Sequence, residues 1–232
     1  KSATPGKSLV LTIDARLQQT CEDLLGDNQV AAIMMDPRNG ELLALASAPT
    51  FDPNKFISGI SSEDWKSWSA KGTLFNRAIA GKFPPASTFK VVTGAAGLET
   101  HAITDKTIIR CSGSLTVGGR LFKCWVWPGA HGNEDIYKAY ADSCDSYFFS
   151  VARLVGIDAL DSYAQKFGID EPTGVDLPGE ATGLVPTPAW KLATVKEPWY
   201  DGDTMNMGIG QGYTLETPIR DLSIYSSIAM NG

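Results

Sequence analysis

The sequence predicts an α+β fold on three observations. Strand-like stretches cluster in the first fifty residues, and two of them flank a turn. Helical periodicity with recognisable start and stop signals recurs through much of the remainder. A chain of 232 residues with 43% hydrophobic and 20% charged side chains can bury a substantial core, as one large domain or two small ones.

Taken in order, "SLVLTI" has the β-branched, apolar character of a strand. Asp14 then caps "ARLQQTCEDLL", whose Leu17, Cys21, Leu24 and Leu25 share one helical face, so Cys21 is expected to pack as a small hydrophobe. "VAAIMMD", "PRNG" and "ELLALAS" predict strand, turn and strand, with Pro37, Asn39 and Gly40 supplying the turn chemistry. A proline-containing loop leads to "SSEDWKSWSAK", a short helix with a Ser61-to-Asp64 capping pattern. After "FPPAS", the segment "TFKVVTGAAGLETH" is apolar and small enough for a buried helix. The Gly- and Trp-rich stretch from 106 to 132 is expected as loop with at most a small ribbon. "EDIYKAYA" and "SYFFSVARLVG" are helical, joined at "DSCD". Gly and Pro punctuate irregular connections from 168 to 198. A Gly-rich turn at "MNMGIGQG" then precedes a last helix that starts at Thr217–Pro218 and stops at Asn231–Gly232. Internal repeats and low-complexity segments are absent.

A net charge of −6 with scattered Lys and Arg leaves no basic surface for a phosphate backbone, so nucleic acid is excluded as a partner. No run approaches the roughly 18 apolar residues of a membrane helix, and Lys1 opens no signal-peptide pattern.

Three constellations carry chemistry. In "PPASTFK", Ser87 and Lys90 stand three apart at a helix start, which places hydroxyl and amine on one face. Desolvation favours the neutral amine, the form able to take the hydroxyl proton, and Phe89, Val91 and Val92 bracket Lys90 with apolar groups. Free backbone N–H groups at a helix N-terminus suit an oxyanion. The bland alternative is a helix-capping serine beside a solvated lysine. About fifty residues on, Ser143 and Asp145 form a second polar pair, able to relay a proton or orient a substrate, or else simply a polar loop between helices.

The third constellation is Cys111, Cys124, His131 and Cys144, spaced 13, 7 and 13 apart. Three thiolates and an imidazole make a closed tetrahedral zinc set, structural rather than catalytic. A Cys111–Cys124 disulfide with Cys144 buried is the alternative, although it leaves His131 without a role. A nucleophilic Cys144 has no histidine base beside it in sequence. Trp125 and Trp127 are expected to pack around the zinc loop, with a place in a substrate groove as the alternative, and His101 to be a capping or surface residue.

The ordered segments "PPASTFK", "SCDSYFF", "GDTMNMGIGQGY" and "TPIRDLS", with the hairpin "AAIMMDPRNGELLALASAPTFDPN", resemble the transpeptidase domain of class B penicillin-binding proteins, elongation type. The resemblance covers nearly the whole chain. It implies the fold shared with serine β-lactamases, an antiparallel sheet flanked by helices. It also implies that Ser87 is the acylated nucleophile, Lys90 its general base, and Ser143 with Asp145 the second motif. That motif is Ser-x-Asp here, where Ser-x-Asn is more usual, which removes the amide donor at 145. Some elongation-type members carry a metal site beside the active site, with varying ligands.

By the same resemblance the activity is peptidoglycan D,D-transpeptidation. Its substrates are D-Ala-D-Ala stem peptides, its inhibitors β-lactams, and its partner a membrane glycosyltransferase of the elongation machinery. The location implied is the periplasm, on a protein anchored in the inner membrane. The family's third motif, Lys-Thr-Gly or Lys-Ser-Gly, is missing: "KGT" at 71 to 73 has the wrong order. The expectation is therefore an incomplete transpeptidase domain over 1–232, truncated at the C-terminus, with that strand beyond Gly232 and with poor activity alone. A D,D-carboxypeptidase or β-lactamase is the rival enzyme, the latter disfavoured in its class A form by the lack of a "Glu-x-x-x-Asn" pattern. A non-catalytic binding module on the same fold is the rival outside enzymes.

Overall fold

The computed structural model describes residues 6–232, so Lys1 lies outside the described residues. The described residues divide into two compact units, one reaching to Gly81 and including Leu222–Gly232, the other Lys82–Asp221.

In the first unit, the Asp14 carboxylate accepts from the N–H groups of Arg16 and Leu17 at 2.8 and 3.2 Å, so helix α1 (Ala15–Leu25) starts where its cap predicts. Strands β1 (Val30–Met35) and β2 (Leu42–Ala48) form the predicted antiparallel hairpin, with Ala32 opposite Ala46 and Ile33 opposite Leu45. Leu17, Cys21 and Leu25 pack with Ala32, Ala44 and Ala46, so Cys21 is a core residue. Leu24 departs from the prediction: one residue off that i, i+4 row, it is 80% exposed. "SLVLTI" departs further, for it forms no strand, and Leu9, Val10 and Leu11 are exposed. Its composition favours a strand but no ladder receives it. The Thr12 hydroxyl donates to Leu42 O of β2 at 2.6 Å, and just past the segment the Asp14 N–H donates to Leu43 O at 2.9 Å.

Short helices complete this unit: α2 (Lys55–Ser58), α3 (Ser62–Lys71) and α4 (Arg77–Ala80). Ser61 caps α3 by accepting from Asp64 N–H at 3.0 Å, and Trp68 is buried against Phe51 and Phe56.

The second unit carries both predicted clusters. A 3₁₀ turn over Ala86–Phe89 feeds helix α5 (Lys90–Glu99), whose Lys90, Val92, Thr93 and Ala96 are buried. The region expected as loop is more regular. It holds strands β3 (Ile109–Cys111), β4 (Ser114–Val117), β5 (Arg120–Lys123) and β6 (Gly132–Glu134), paired antiparallel as β3–β6 and β4–β5. The ribbon expected there is thus two ribbons.

Helix α6 (Ile136–Ala141) is capped by Asp135, and α7 (Asp145–Val155) follows it closely. The next helix, α8 (Ile157–Lys166), was not singled out by the sequence. Helix α9 (Pro188–Thr194) interrupts the stretch expected to be irregular, with Thr187 as cap and Pro188 at its first position. Helix α10 (Asp201–Gly208) runs into the predicted Gly-rich turn, and α11 (Pro218–Ala229) is the predicted last helix. The sheet among the described residues is three separate two-stranded antiparallel ribbons, less continuous than the single sheet the resemblance implies.

The core of this unit gathers Tyr147, Phe148, Phe149 and Val151 of α7 with Ile103, Ile136, Met205 and the thiols Cys111, Cys124 and Cys144. The Thr93 hydroxyl donates to Gly208 O at 2.7 Å, tying α5 to the end of α10 inside that core. Among the described residues no helix is long and apolar enough to cross a membrane.

Candidate active site and metal centre

Two backbone devices deliver the polar cluster. Helix α6 ends in a Schellman motif: Cys144 N–H donates to Ala139 O at 2.9 Å and Ser143 N–H to Tyr140 O at 3.1 Å. The left-handed position of that motif usually takes Gly, yet here it is Ser143, at φ 49°. The buried pair Cys144 and Ala139 supplies the apolar contact that accompanies the motif. The turn turns Ser143 outward, sends Cys144 inward, and leaves Asp145 as the first residue of α7.

The second device holds the Ser87 turn. Ala86, also left-handed at φ 52°, donates its N–H to Gly210 O at 2.8 Å. A Cβ on Gly210 would stand 2.3 Å from Ala86 O and 2.6 Å from Phe89 Cβ, so this close approach requires glycine. "GIGQG" therefore has a definite job that its composition alone does not reveal. Non-Gly residues at positive φ cost on the order of 1 kcal/mol each and persist only when the surroundings over-determine them.

The four predicted polar residues converge on one atom. Lys90 Nζ lies 3.1 Å from Ser87 Oγ, 3.0 Å from Ser143 Oγ, 2.9 Å from Ser143 O and 2.6 Å from an Asp145 carboxylate oxygen. Ser143 Oγ lies 3.0 Å from Ser87 Oγ, which closes a triangle of two hydroxyls and an amine. Lys90 is 2% exposed and sits 5.6 Å over the Phe148 ring, with Asp145 as its ion-pair partner. An ammonium has three protons to share among these four acceptors. A neutral amine instead donates two and can accept the Ser87 or Ser143 proton. The geometry thus provides a proton path between both hydroxyls and the amine.

Asp145 uses both oxygens: the one not facing Lys90 accepts from the Trp125 N–H at 2.9 Å. An acceptor-only side chain fits this place, so an amide at 145 is not required by the contacts seen. The Trp125 indole N–H donates to Asp142 O at 2.9 Å, so this residue clasps the second motif from two sides. The sequence suggested packing for Trp125, not this backbone role. Its ring lies 5.4 Å from that of His131, although Trp125 is largely exposed. His101 lies exposed at the end of α5, as expected for a surface residue.

Behind this cluster lies the second one. One donor atom each from Cys111, Cys124, His131 and Cys144 lies within 4.8 Å of all the others. His131 Nδ1 is 3.6 Å from both Cys111 Sγ and Cys124 Sγ, close to the edge of a tetrahedron with metal–ligand distances of about 2.0–2.3 Å. The three sulfurs are buried free thiols. Burial pushes the Cys111 thiol up, but hydrogen bonds, chiefly from the His131 backbone N–H and also from Gly113 N–H, outweigh it and hold the group at about 6. Burial pushes Cys144 far up, and the charges of Cys124 and Cys111 add to the effect. Sulfurs this close repel as anions, which is the situation a divalent cation relieves. The residues fit zinc in number, donor type and spacing. Among the described residues His131 Nε2 is buried without a hydrogen-bond partner, so none of them gives the usual outer support of a ligating imidazole.

A mixed helix and sheet domain with a buried lysine between two serine hydroxyls defines a candidate serine acyl-transferase. The chain matches the penicillin binding protein transpeptidase domain over residues 30–232, and it belongs to that family. The peptidoglycan D,D-transpeptidase MrdA of Salmonella typhimurium is 40% identical over 231 residues, 98% of this chain and 37% of that protein. Penicillin-binding protein 2 of Pseudomonas aeruginosa, in complex with WCK 5153, superimposes at TM-score 0.92 with 34% identity over 99% of this chain and 51% of that one. Penicillin-binding protein A of M. tuberculosis, as a penicillin G acyl-enzyme complex, gives TM-score 0.80 and 27% identity over 95% of this chain and 52% of that one. The chain thus spans about half or less of the relatives it matches.

Proposed function

We propose that this chain is the nucleophile-bearing part of a serine D,D-transpeptidase that cross-links peptidoglycan stem peptides. The observation that carries the reading is the convergence of Ser87, Ser143 and Asp145 on Lys90 Nζ, all within 3.1 Å. Ser87 Oγ attacks the penultimate D-Ala carbonyl carbon while its proton passes to the Lys90 amine. A C–O bond forms, and the C–N bond to the terminal D-Ala then breaks. The leaving amine takes a proton through Ser143 Oγ, which touches both Ser87 Oγ and Lys90 Nζ. An amine from a neighbouring strand attacks the ester and restores Ser87. Asp145 holds Lys90 in place and is itself held by Trp125. A β-lactam acylates the same serine, but its leaving nitrogen stays tethered.

We place the Lys-Thr-Gly or Lys-Ser-Gly strand outside these 232 residues, since neither tripeptide occurs in them. That strand is expected to supply an oxyanion donor and a cation for the substrate carboxylate. The whole protein would be periplasmic and held in the inner membrane. A membrane glycosyltransferase is the partner this reading calls for, because cross-linking consumes polymerised strands.

Zinc is the cofactor we assign to Cys111, Cys124, His131 and Cys144, on the strength of a closed four-donor set. With all four positions taken it would supply rigidity alone. Metal analysis finding about one zinc per chain is expected; a mass deficit of two hydrogens with no zinc would replace it by the Cys111–Cys124 disulfide.

The activity is tested by labelling the full-length protein with fluorescent penicillin and mapping the adduct. Label on the Ser87 peptide, lost in Ser87→Ala with unchanged melting, is the expected result. An unlabelled full-length protein would favour a non-catalytic module, and rapid loss of the label to water would favour a β-lactamase.

A further inference from the structure

Beside Asp145 the second unit opens a cavity of about 410 Å³. Its walls include Arg120 and Lys123 of β5, Trp125, Asn206 near the end of α10, and Gln211. Neither Arg120 nor Lys123 has a carboxylate within ion-pair distance among the described residues. Each lies instead over an aromatic face, Arg120 over Phe122 at 5.5 Å and Lys123 over Trp127 at 5.7 Å. The one acidic residue of the cavity, Asp145, already has both oxygens engaged, by Lys90 and by the Trp125 N–H. The side-chain amides of Asn206 and Gln211 have no hydrogen-bond partner among the described residues.

Two unneutralised cations and two free amides around a spent carboxylate make a site for an anion attached to something that offers amide groups of its own. A planar guanidinium suits a carboxylate bidentately, and carboxamides pair with a peptide backbone. The cavity also adjoins the nucleophile: Gly210, next to Gln211, holds the Ala86 N–H one residue before Ser87. We propose that this cavity binds a side-chain carboxylate of the acyl-donor peptide, upstream of its reacting end, through Arg120 and Lys123, with Asn206 and Gln211 taking the adjoining peptide amides. The inference rests on the transpeptidase reading and adds a specificity determinant to it. Arg120 and Lys123 act on binding, not on proton transfer.

The test uses the full-length protein and two synthetic pentapeptides ending in D-Ala-D-Ala, one with a free side-chain carboxylate upstream of that end and one with it amidated. Release of D-Ala without an acceptor amine reports the donor alone. The wild type is expected to favour the free-acid peptide, and Arg120→Ala with Lys123→Ala to raise its KM about tenfold at unchanged kcat. The amidated peptide should not respond, and acylation by benzylpenicillin, whose lone carboxylate stands for the peptide C-terminus, should stay within about twofold of wild type. Arg120→Lys in place of Arg120→Ala should recover part of the loss. Equal losses on both peptides, or no loss on the free acid, would overturn the cavity assignment while leaving the transpeptidase reading intact. Wild-type protein that neither reacts with penicillin nor releases D-Ala would overturn the transpeptidase reading itself.

Discussion

Ser143 and Cys144 are adjacent in the chain yet belong to clusters built on different physics. The polar cluster around Lys90 Nζ is a mesh of short hydrogen bonds, 2.6 to 3.1 Å long, between groups that exchange protons easily. The thiol cluster behind it is buried in the apolar core beside Tyr147 and Phe148, where hydrogen-bond partners are few. The first needs access and a side chain turned outward, so its backbone is strained at Ser143 and Ala86. The second needs closure. The difference teaches that one turn, the Schellman end of α6, can point consecutive residues toward a reaction and toward the support that holds the reacting groups still.

The comparison can be broken first on its polar side. Lys90→Met removes the shared partner of both hydroxyls and is expected to slow β-lactam acylation about 10²–10⁴-fold, the range for a lost general base. Stopped-flow acylation measures it, and a rate within a few-fold of wild type would take Lys90 out of the proton path. Gly210→Ala is next: its Cβ would press on Ala86 O, at a φ of 66° that alanine resists. The turn bearing Ser87 must shift, so acylation should fall about tenfold or more, with a melting loss that a distant Gly174→Ala control at a similar φ does not reproduce in rate.

The smallest expected effect sharpens the contrast by offering a buried acid outside both clusters. Both Glu216 oxygens are buried without hydrogen-bond partners among the described residues, while its backbone pairs with Phe83 in the strand-like approach to Ser87. Burial pushes this carboxyl up to about 8 from its usual 4.5, with Asp221 adding to the rise and Arg220 opposing it. The folded state holds the proton more tightly than the unfolded chain, so the stabilisation is complete below about 4.5 and is lost as pH rises through about 8. Melting temperature should therefore fall across that window, and Glu216→Gln should flatten the fall. Identical pH profiles for the two proteins would remove Glu216 as its source.

Much of the site was legible because its chemistry is local. Ser87 and Lys90 are three residues apart on one turn, and the caps at Asp14 and Ser61 sit next to the helices they start. The thiol set was legible for another reason, the rarity of Cys and His in this chain. What was hidden depends on distant partners. No local pattern says that "SLVLTI" finds no ladder, that Gly210 touches Ala86, or that the Trp125 N–H holds Asp145 twenty residues away. Nor does composition show that Ser143 takes the left-handed place where glycine is usual, since the signal is the end of α6 and not the serine. Helix α8 does carry a helical period, with Leu160 and Ala164 buried one turn apart, so its signal was present in the sequence; α9, only 7 residues long, is too short to show one.

The division of labour within Ser143–Cys144–Asp145 is tested most directly by measuring melting temperature and penicillin acylation rate side by side for Ser143→Ala and Cys144→Ser in the full-length protein. Ser143→Ala should keep the wild-type melting temperature within about 2 °C and lose acylation rate by about 10²-fold or more. If the proposed zinc is there, Cys144→Ser should release it, melt lower by about 5 °C or more, and acylate more slowly because its neighbours are no longer held. A Cys144→Ser protein that melts and acylates like wild type, or a Ser143→Ala protein that acylates at full rate, would contradict it.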